Sequence, residues 1–331
     1  MSIPRDETRE NEMHYDAESQ WLTVEGLIAK DLLTHPLKPR PKRGNFFAAR
    51  FDELANNTTI GCHVGEMPGE RNIGHRHVDE AIIYMLSGSG YSVLYQEDKS
   101  KDWPQQHYVE WQAGSLIAIP INAYHQHFNA EPNVTPVRQL AIKNVPTLRR
   151  VFNSRTVIYA NPFRFYDRYH DEPDYFEISE RLGQRQWRTN FVKDMKTFPL
   201  DPWPERGEGV SAMFFDMAGN QTLRPHLTEL APGGRTAPHH HLREELIHVL
   251  LGSGYTRIWL DDGPELRLEW EAGDLFSPPL NAWHQHINTS QDEPARYYSV
   301  ENMVVDRLFG NERFVTQSEF QFRERMNGQG Q

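Results

Sequence analysis

Short apolar runs separated by turn residues cover most of the chain, and the series occurs twice. Between residues 45 and 142 the runs are FFAARF, TTIGCHV, AIIYML, YSVLY, HYVEW, SLIAIP, YHQHFN and RQLAI. A second series between residues 211 and 300 reads SAMFFDM, ELIHVLL, YTRIWL, LRLEW, WHQHIN and ARYYSV. Runs of this length, punctuated by Gly, Asn and Pro, are typical of antiparallel strands in sandwiches and barrels. The pattern predicts an all-β protein with two similar domains.

The segments outside these series predict other structure. Residues 21–33, WLTVEGLIAKDLL, place apolar side chains at nearly helical spacing and predict a short N-terminal helix. Residues 34–44 contain three prolines and a basic cluster, which predict a solvated covering loop. EISERLGQ (177–184) predicts a helical piece in the connector. The predicted divisions are an N-terminal helix and covering segment (1–44), a first β domain (45–145), a connector (146–207), a second β domain (208–309) and a C-terminal tail (310–331).

The two series match residue by residue. HRHVDEAIIYMLSGSGY (75–91) corresponds to HHHLREELIHVLLGSGY (239–255), and AGSLIAIPINAYHQHFN (113–129) corresponds to AGDLFSPPLNAWHQHIN (272–288). The matches contain four His-x-His pairs: His75/His77, His125/His127, His239/His241 and His284/His286. Random placement of the 16 histidines would give about 0.8 such pairs. Because residues two apart in a strand share a face, each pair projects both imidazoles to one side.

Imidazoles that converge from two strands suit a first-row divalent metal ion. In the second copy Glu245 follows His241 by four positions, so the predicted ligands are His239, His241, Glu245 and His284. The matching position of the first copy is Ala81, which leaves His75, His77 and His125. The neighbouring Glu80 is expected to point to the opposite face. The alternative is a degenerate barrel that keeps these histidines as internal hydrogen-bonding groups. The remaining candidates lack this spacing and are predicted to be ordinary side chains: His63, His226, His240 and His248.

Composition narrows the class of protein. The chain has 331 residues, enough for two domains, and 35 Lys and Arg against 46 Asp and Glu give a net charge of −11. This balance argues against a nucleic-acid or polybasic membrane surface and favours small-molecule chemistry. Cys62 is the sole cysteine, which excludes an internal disulfide and a cysteine-based metal site. The polar N-terminus has no apolar signal segment, and we expect a soluble, cytoplasmic protein.

The glycines, histidines and prolines of the repeat have a recognisable order. In the second copy it is G-x5-H-x-H-x3-E-x6-G followed by G-x5-P-x-N-x2-H-x3-N, from Gly233 to Asn288. The first copy follows the same order except for Ala81. This order resembles the two cupin motifs, with Asn122 and Asn281 where many cupins have glycine. The chain is therefore similar to a bicupin, over about two thirds of its length. The resemblance implies a duplicated double-stranded β-helix (cupin or jelly-roll barrel) with a few peripheral helices.

The first copy also resembles one group of bicupin enzymes. PGERNIGHRHVDEA (68–81) and YHQHFN (124–129) are similar to the motifs of gentisate 1,2-dioxygenases, which keep three histidines and a small residue in place of the Glu. The resemblance implies an Fe(II)-dependent dioxygenase that cleaves a hydroxylated aromatic ring with O2. It also implies that His127, and by repetition His286, act as acid/base or substrate-orienting groups. We expect a small aromatic substrate such as gentisate, hydroquinone or salicylate, and a homo-oligomer.

One departure from that group leaves other functions open. The gentisate group usually has an arginine soon after the first motif, where this chain has AIIYML. Arg71 and Arg235 could replace it, although surface salt bridges are expected for both. A substrate without a carboxylate, as in the hydroquinone dioxygenases whose large subunit is a bicupin of similar size, is one alternative. The others are a redox-neutral decarboxylase, lyase or isomerase with Mn, Ni or Zn, and a non-catalytic bicupin that binds a ligand.

Overall fold

Strands dominate the structure, a computed structural model that describes residues 22–43, 45–95, 106–260, 263–304 and 308. The predicted C-terminal tail lies outside the described residues. In chain order the strands are β1 (Leu22–Gly26), β2 (Ile28–Ala29), β3 (Lys38–Pro39), β4 (Phe47–Leu54), β5 (Gly61–Met67), β6 (Ala81–Ser87), β7 (Ser89–Tyr95), β8 (Gln106–Gln112), β9 (Leu116–Ile119), β10 (Tyr124–Asn129), β11 (Val137–Lys143), β12 (Ser179–Gly183), β13 (Gln186–Thr189), β14 (Phe191–Val192), β15 (Asp201–Pro202), β16 (Gly207–Asp216), β17 (Leu223–Thr236), β18 (Glu245–Leu251), β19 (Ser253–Trp259), β20 (Leu266–Glu271), β21 (Leu275–Phe276), β22 (Trp283–Asn288) and β23 (Ala295–Asn302). The all-β prediction is confirmed.

Each half of the chain builds a large sheet and a small one. In the first half the order β1-β4-β5-β11-β6-β9-β14, with β3 on β4, forms an eight-stranded sheet, and β10-β7-β8 forms a three-stranded sheet. In the second half the path β12-β13-β16-β17-β23-β18-β21-β2, with β15 on β16, corresponds to the large sheet, and β19, β20 and β22 correspond to the small one; a pairing of β22 with β17 joins all twelve strands into one sheet. Side chains of both sheets share the apolar core of the first half. The two halves are therefore copies in structure as well as in sequence.

Two short helices follow the first domain. They are α1 (Val145–Phe152) and α2 (Arg155–Tyr159), and two 3-10 turns cover Pro41–Arg43 and Pro204–Arg206. No helix in the described part of the chain is long and apolar enough to cross a bilayer. The helix predicted at 177–184 is wrong, because residues of this segment form β12 and pair with β13 in a hairpin.

The N-terminal helix predicted over 21–33 is also wrong. The described residues form β1, which pairs in parallel with β4, and β2, which pairs with β21. Gly26, at a positive φ of 97°, ends β1 and interrupts any continuous helix. Strand pairing with distant segments thus overrides the local periodicity. The described residues of the covering loop at 34–44 are mostly exposed, as predicted, except Arg40, which is 2% exposed.

The two halves exchange strands. β2, which precedes the first domain, pairs with β21 of the second, and β14, which precedes the second domain, pairs with β9 of the first. The largest apolar cluster accordingly contains residues of both halves, among them Phe51, Leu140, Leu246 and Tyr298. One apolar cluster therefore extends across both barrels, and the second barrel has a further cluster of its own.

Two buried carboxylates reinforce this exchange. Glu80, immediately before the first domain's β6, accepts hydrogen bonds from the backbone N–H groups of residues 221–223 and from Thr222 Oγ1, and pairs with Arg168. Its repeat equivalent, Glu244, accepts them from the backbone of residues 58–60 and from Thr58 Oγ1 and Thr59 Oγ1. Each domain thus holds a loop of the other through one carboxylate. We name the two contacts the carboxylate clamps.

Candidate metal centres

The first centre lies where β10 meets the segment before β6. His75 and His125 face each other across an isolated antiparallel bridge, and His77 follows on the same face. One nitrogen from each of the three imidazoles lies within 4.8 Å of the others, and all three residues are buried. The rings are 4.3 to 5.6 Å apart between centroids. The structure therefore brings together the three residues predicted from the His-x-His spacing.

Backbone carbonyls orient the three imidazoles. Nδ1 lies 2.9 Å from the Ile73 carbonyl oxygen in His75, 3.2 Å from that of Asp79 in His77 and 3.0 Å from that of Ala123 in His125. Because a carbonyl oxygen only accepts, each Nδ1 carries the proton and each Nε2 keeps its lone pair. This is the tautomer that a metal-binding histidine needs at Nε2.

Cationic side chains border the first centre. Lys143 Nζ lies 2.9 Å from His77 Nε2 and 3.1 Å from Asp79 Oδ2. A cavity of about 20 Å³ adjoins the three histidines and is also lined by Arg43, His63 and His127. Ala81, the first residue of β6, contributes no carboxylate. Glu80 lies outside the centre, in its carboxylate clamp, as expected from its strand face.

The second centre repeats the geometry with a more acidic environment. His239 and His284 face each other across a bridge, and their nitrogens lie within 4.8 Å of that of His241. The Nδ1 atoms of His239, His241 and His284 lie 2.8 to 2.9 Å from the carbonyl oxygens of residues 237, 243 and 282, respectively. Each Nδ1 therefore carries the ring proton, and the Nε2 lone pairs are directed inward. The Nε2 atoms of His241 and His284 are buried with no hydrogen-bond partner among the described residues. Buried nitrogen lone pairs that receive no hydrogen bond fit a bound cation.

Carboxylates complete the second centre. Glu245 Oε2 lies 3.5 Å from His241 Nε2, and Glu245 Oε1 lies 3.6 Å from His226 Nε2. One oxygen of Glu301 lies within 4.8 Å of possible ligand atoms of His241 and Glu245, so these three residues form a second possible ligand group. Burial by itself would raise the pKa of Glu245, but the adjacent imidazoles of His241 and His226 hold that pKa well below its usual value. Glu245 is therefore an anion at neutral pH, as a metal ligand must be.

Burial also keeps four of these histidines uncharged. It lowers the pKa values of His77, His125, His239 and His284 well below the usual value of an imidazole, with nearby cations adding to the effect. A neutral imidazole offers a lone pair at pH 7. These four rings therefore carry no charge, although Lys143 and Arg206 donate hydrogen bonds to the Nε2 atoms of His77 and His239. Three imidazoles in the first centre, and three imidazoles with one carboxylate in the second, are consistent with a bound divalent metal ion.

His127 and His286 lie beside the centres without joining the ligand groups. The ring of His127 is 5.7 Å from that of His125, and the ring of His286 is 5.5 Å from that of His284. Their Nδ1 atoms contact Ser92 Oγ and Thr256 Oγ1. Both positions suit a group that contacts a bound ligand.

Several residues of the centres were not predicted from the sequence. His63 and His226, expected to be ordinary core side chains, border the first and second centre. Arg206 donates a hydrogen bond to His239 Nε2, and its repeat equivalent Arg43 lines the first cavity. The signal for both arginines is the repeat of PKRG (41–44) as PERG (204–207). The signal for Lys143 and Glu301 lies in the repeat equivalents IKN (142–144) and VEN (300–302). A lysine of the first copy stands where the second copy has a glutamate, and the same asparagine follows in both.

The arginines first considered for substrate binding lie elsewhere. Arg235 pairs with Glu208 at 3.1 Å, and both side chains are more than half exposed. Arg71 is exposed beside β10. The expected surface salt bridge is thus confirmed for Arg235.

Comparisons with known proteins agree with this architecture. Residues 226–301 match the family model described as cupin domain. Oxalate decarboxylase from Bacillus subtilis is a similar solved structure: one tryptophan variant is 17% identical with a TM-score of 0.54, covering 91% of this chain and 84% of that one. The structure at pH 4.6 is 18% identical with a TM-score of 0.53, covering 91% and 83%. At this identity the likeness shows the fold alone.

No curated protein sequence gave a significant match. The family match, the structural likeness and the two histidine centres lead to one conclusion. Residues 226–301 form a cupin domain, and the whole chain has a bicupin fold with two histidine-rich candidate metal sites.

Proposed function

We propose that the protein is an Fe(II)-dependent dioxygenase that cleaves a hydroxylated aromatic ring with O2. The observation that carries the proposal is the first centre, where three Nε2 lone pairs converge beside a cavity and Ala81 stands in place of a fourth ligand. Three protein ligands leave positions for both a phenolate and dioxygen. The likeness of PGERNIGHRHVDEA and YHQHFN to the gentisate dioxygenase motifs supports the same reaction class.

The side chains around the first centre have separate tasks in this proposal. His75, His77 and His125 would hold the ion, which when bound would supply adjacent sites for the substrate oxygen and for O2. Lys143 and Arg43 place positive charge beside the cavity, which favours a substrate that carries an anionic oxygen. His127 would orient the substrate. Insertion of both oxygen atoms into the opened ring balances the reaction without an external reductant.

Oxygen uptake tests the proposal. Protein reconstituted anaerobically with Fe(II) is mixed with gentisate, hydroquinone, salicylate or a hydroxynaphthoate in an oxygen electrode. The expected result is uptake of one O2 per substrate consumed with one of these phenols, abolished by His77→Ala in the first centre. Absence of uptake with every phenol would contradict ring cleavage. The His241→Ala variant, made in parallel, shows whether the second centre is also needed.

A second candidate is redox-neutral decarboxylation of a small carboxylic acid at the second centre. The observation that favours it is the set of three histidines and Glu245 beside Arg206, in a fold similar to that of oxalate decarboxylase. In this candidate a Mn, Ni or Zn ion would act as a Lewis acid, and Arg206 would hold the substrate carboxylate. Release of CO2 from oxalate by the Mn(II)-loaded protein, without net oxygen consumption and dependent on Glu245, would favour it over ring cleavage.

A further inference from the structure

The histidines of the two centres fall into two hydrogen-bonding classes. The six that form the ligand groups direct Nδ1 at backbone carbonyl oxygens. His127 and His286 instead direct Nδ1 at a hydroxyl oxygen, 2.7 Å from Ser92 Oγ and 2.8 Å from Thr256 Oγ1. A hydroxyl can donate or accept, so the tautomer of these two rings depends on the other partner of the hydroxyl.

A buried tryptophan is that partner in both domains. Trp111 Nε1 donates to Ser92 Oγ at 2.8 Å, and Trp270 Nε1 donates to Thr256 Oγ1 at 3.0 Å. An indole N–H only donates, so each hydroxyl oxygen accepts from the tryptophan and its own hydrogen is left for the histidine. Ser92 and Thr256 are 0% exposed, and no other partner of either hydroxyl is found among the described residues.

In each domain one hydrogen bond runs from the tryptophan to the hydroxyl and a second from the hydroxyl to the histidine, and we call this pair of bonds the relay. The direction of the relay fixes the histidine tautomer. Nδ1 of His127 and of His286 accepts the hydroxyl hydrogen, so the ring proton lies on Nε2. The reverse arrangement would leave a buried hydroxyl hydrogen without an acceptor. Each ring therefore offers an N–H where the six ligand histidines offer a lone pair.

The fold makes room for the relay in the same way twice. Gly90 and Gly254 lie next to the tryptophans. A Cβ on either glycine would lie 1.9 or 2.1 Å from the carbonyl oxygen of Phe128 or Ile287, and 2.6 or 2.5 Å from the indole Cη2 atom of Trp111 or Trp270. A side chain at these positions would displace the indole from its hydroxyl partner. Both copies thus keep the glycine, the tryptophan, the hydroxyl and the histidine together.

We propose that His127 and His286 are fixed Nε2–H donors that bind an anionic oxygen of the ligand at the adjacent metal centre, and that Trp111–Ser92 and Trp270–Thr256 are positioning pairs that impose this tautomer. The inference rests on the proposed function in one respect: that function supplies the oxygen ligand on the metal ion. Of the two roles predicted for these histidines, acid/base or substrate-orienting, it favours the second, because a ring with its lone pair engaged by a hydroxyl does not accept a proton from substrate at Nε2.

The tautomers can be measured without metal or substrate. Long-range proton–nitrogen correlation NMR of the metal-free protein, labelled at the histidine rings, is expected to show the Nε2–H form for His127 and His286. His248, whose Nδ1 faces the Asp274 carbonyl oxygen at 3.0 Å, is the internal control and should show the Nδ1–H form. Ser92→Ala should allow the Nδ1–H form to appear at His127 alone, and Thr256→Val should allow it to appear at His286 alone. Nδ1–H forms of His127 and His286 in the unsubstituted protein would overturn the proposal, whatever the reaction of the enzyme.

Anion binding tests the donor itself. Azide is titrated into cobalt(II)-loaded protein, followed by visible absorption, with the second centre emptied by His241→Ala and His284→Ala. His127→Phe should weaken azide binding roughly 10- to 100-fold, the usual effect of losing a hydrogen bond to a charged group. His127→Gln, which keeps an N–H donor, should recover part of the loss, and Ser92→Ala should show an intermediate effect. Unchanged azide affinity in His127→Phe would overturn the proposed contact while leaving ring cleavage open.

Discussion

Two residue positions account for the electrostatic contrast between the centres. Ala81 and Lys143 of the first copy stand where the second has Glu245 and Glu301. The second centre therefore has two carboxylates where the first has an ammonium group and a methyl group. Opposite charges lower the free energy of a buried cation, and like charges raise it. The second centre is accordingly expected to bind a divalent ion more tightly than the first.

Substitution of Glu245 tests this expectation. Glu245→Gln should weaken metal binding at the second centre by at least about 10- to 100-fold, the effect usually seen when even an outer partner of a ligand is removed. Competition with a chromophoric chelator measures the affinity. Glu269→Gln, at a side chain 61% exposed, is the matched control and should change nothing. Equal affinities in the unsubstituted protein and Glu245→Gln would show that this carboxylate is not a ligand.

Asn281 shows that the asparagine in the second motif has a backbone role. It has a positive φ of 60°, and Asn122 has one of 56°. Asparagine tolerates this left-handed region better than residues other than glycine. Asn281→Ala should lower the free energy of unfolding by about 1 kcal/mol, whereas Asn281→Gly should change it by only a few tenths. Urea denaturation of the metal-free variants makes the comparison, and equal losses in both would argue against backbone strain.

At the scale of elements, the carboxylate clamps are the most specific contacts between the domains. Glu244 accepts five hydrogen bonds from residues 58–60, and its side chain is buried. Glu244→Gln turns an amide N–H toward some of these donors and removes the charge. We expect a loss of about 3 kcal/mol in the free energy of unfolding.

The exposed Glu208→Gln serves as control, because Glu208 is 72% exposed and pairs with Arg235 at the surface. Differential scanning calorimetry of both variants provides the measurement. A melting temperature for Glu244→Gln equal to that of the control would mean that the clamp does not stabilise the contact between domains.

The elements were predictable where the local pattern and the final pairing agree. The runs AIIYML and YHQHFN became β6 and β10 because each lies in a sheet of its own domain. Residues 21–33 were mispredicted because β1 and β2 are defined by partners far away in the chain, one of them in the other domain. EISERLGQ was mispredicted because its hairpin with β13 depends on Arg185 at a positive φ of 56°, which no periodicity reveals.

At the scale of the whole molecule, repeat equivalents meet between the domains. Tyr84 and His248 occupy matching positions of β6 and β18, and their rings lie 5.3 Å apart. Burial lowers the pKa of His248 to about 4, despite a hydrogen bond to the Asp274 carbonyl oxygen that acts in the opposite direction. The folded protein therefore resists protonation of this ring, whereas the unfolded chain accepts it near pH 6.5.

Stability should consequently depend on pH. Below about pH 6.5 the unfolded state binds more protons than the folded state, so the free energy of unfolding of the metal-free protein should fall as the pH falls toward 5. His248→Asn should flatten this slope by up to about 1.4 kcal/mol per pH unit. Urea denaturation at several pH values measures the slopes. An unchanged slope in His248→Asn would show that folding does not lower the pKa of His248.

The site was predictable to the extent that short spacings in the sequence define it. Histidine pairs two residues apart, and Glu245 four residues after His241, are enough to identify the ligand groups from the sequence. Arg206 and Lys143 reach the histidines from separate elements, so only the comparison of the two copies could have found them. The domain divisions, the homo-oligomer and the cytoplasmic location stay predictions.

Metal stoichiometry tests the central claim most directly. The metal-free protein is titrated with cobalt(II) by isothermal calorimetry, and bound metal is counted after gel filtration. We predict two ions per chain with distinct affinities, one ion in His77→Ala and one in His241→Ala, the weaker site being lost in the first variant. No bound ion, or two ions retained in both variants, would contradict the assignment of these histidines as metal ligands.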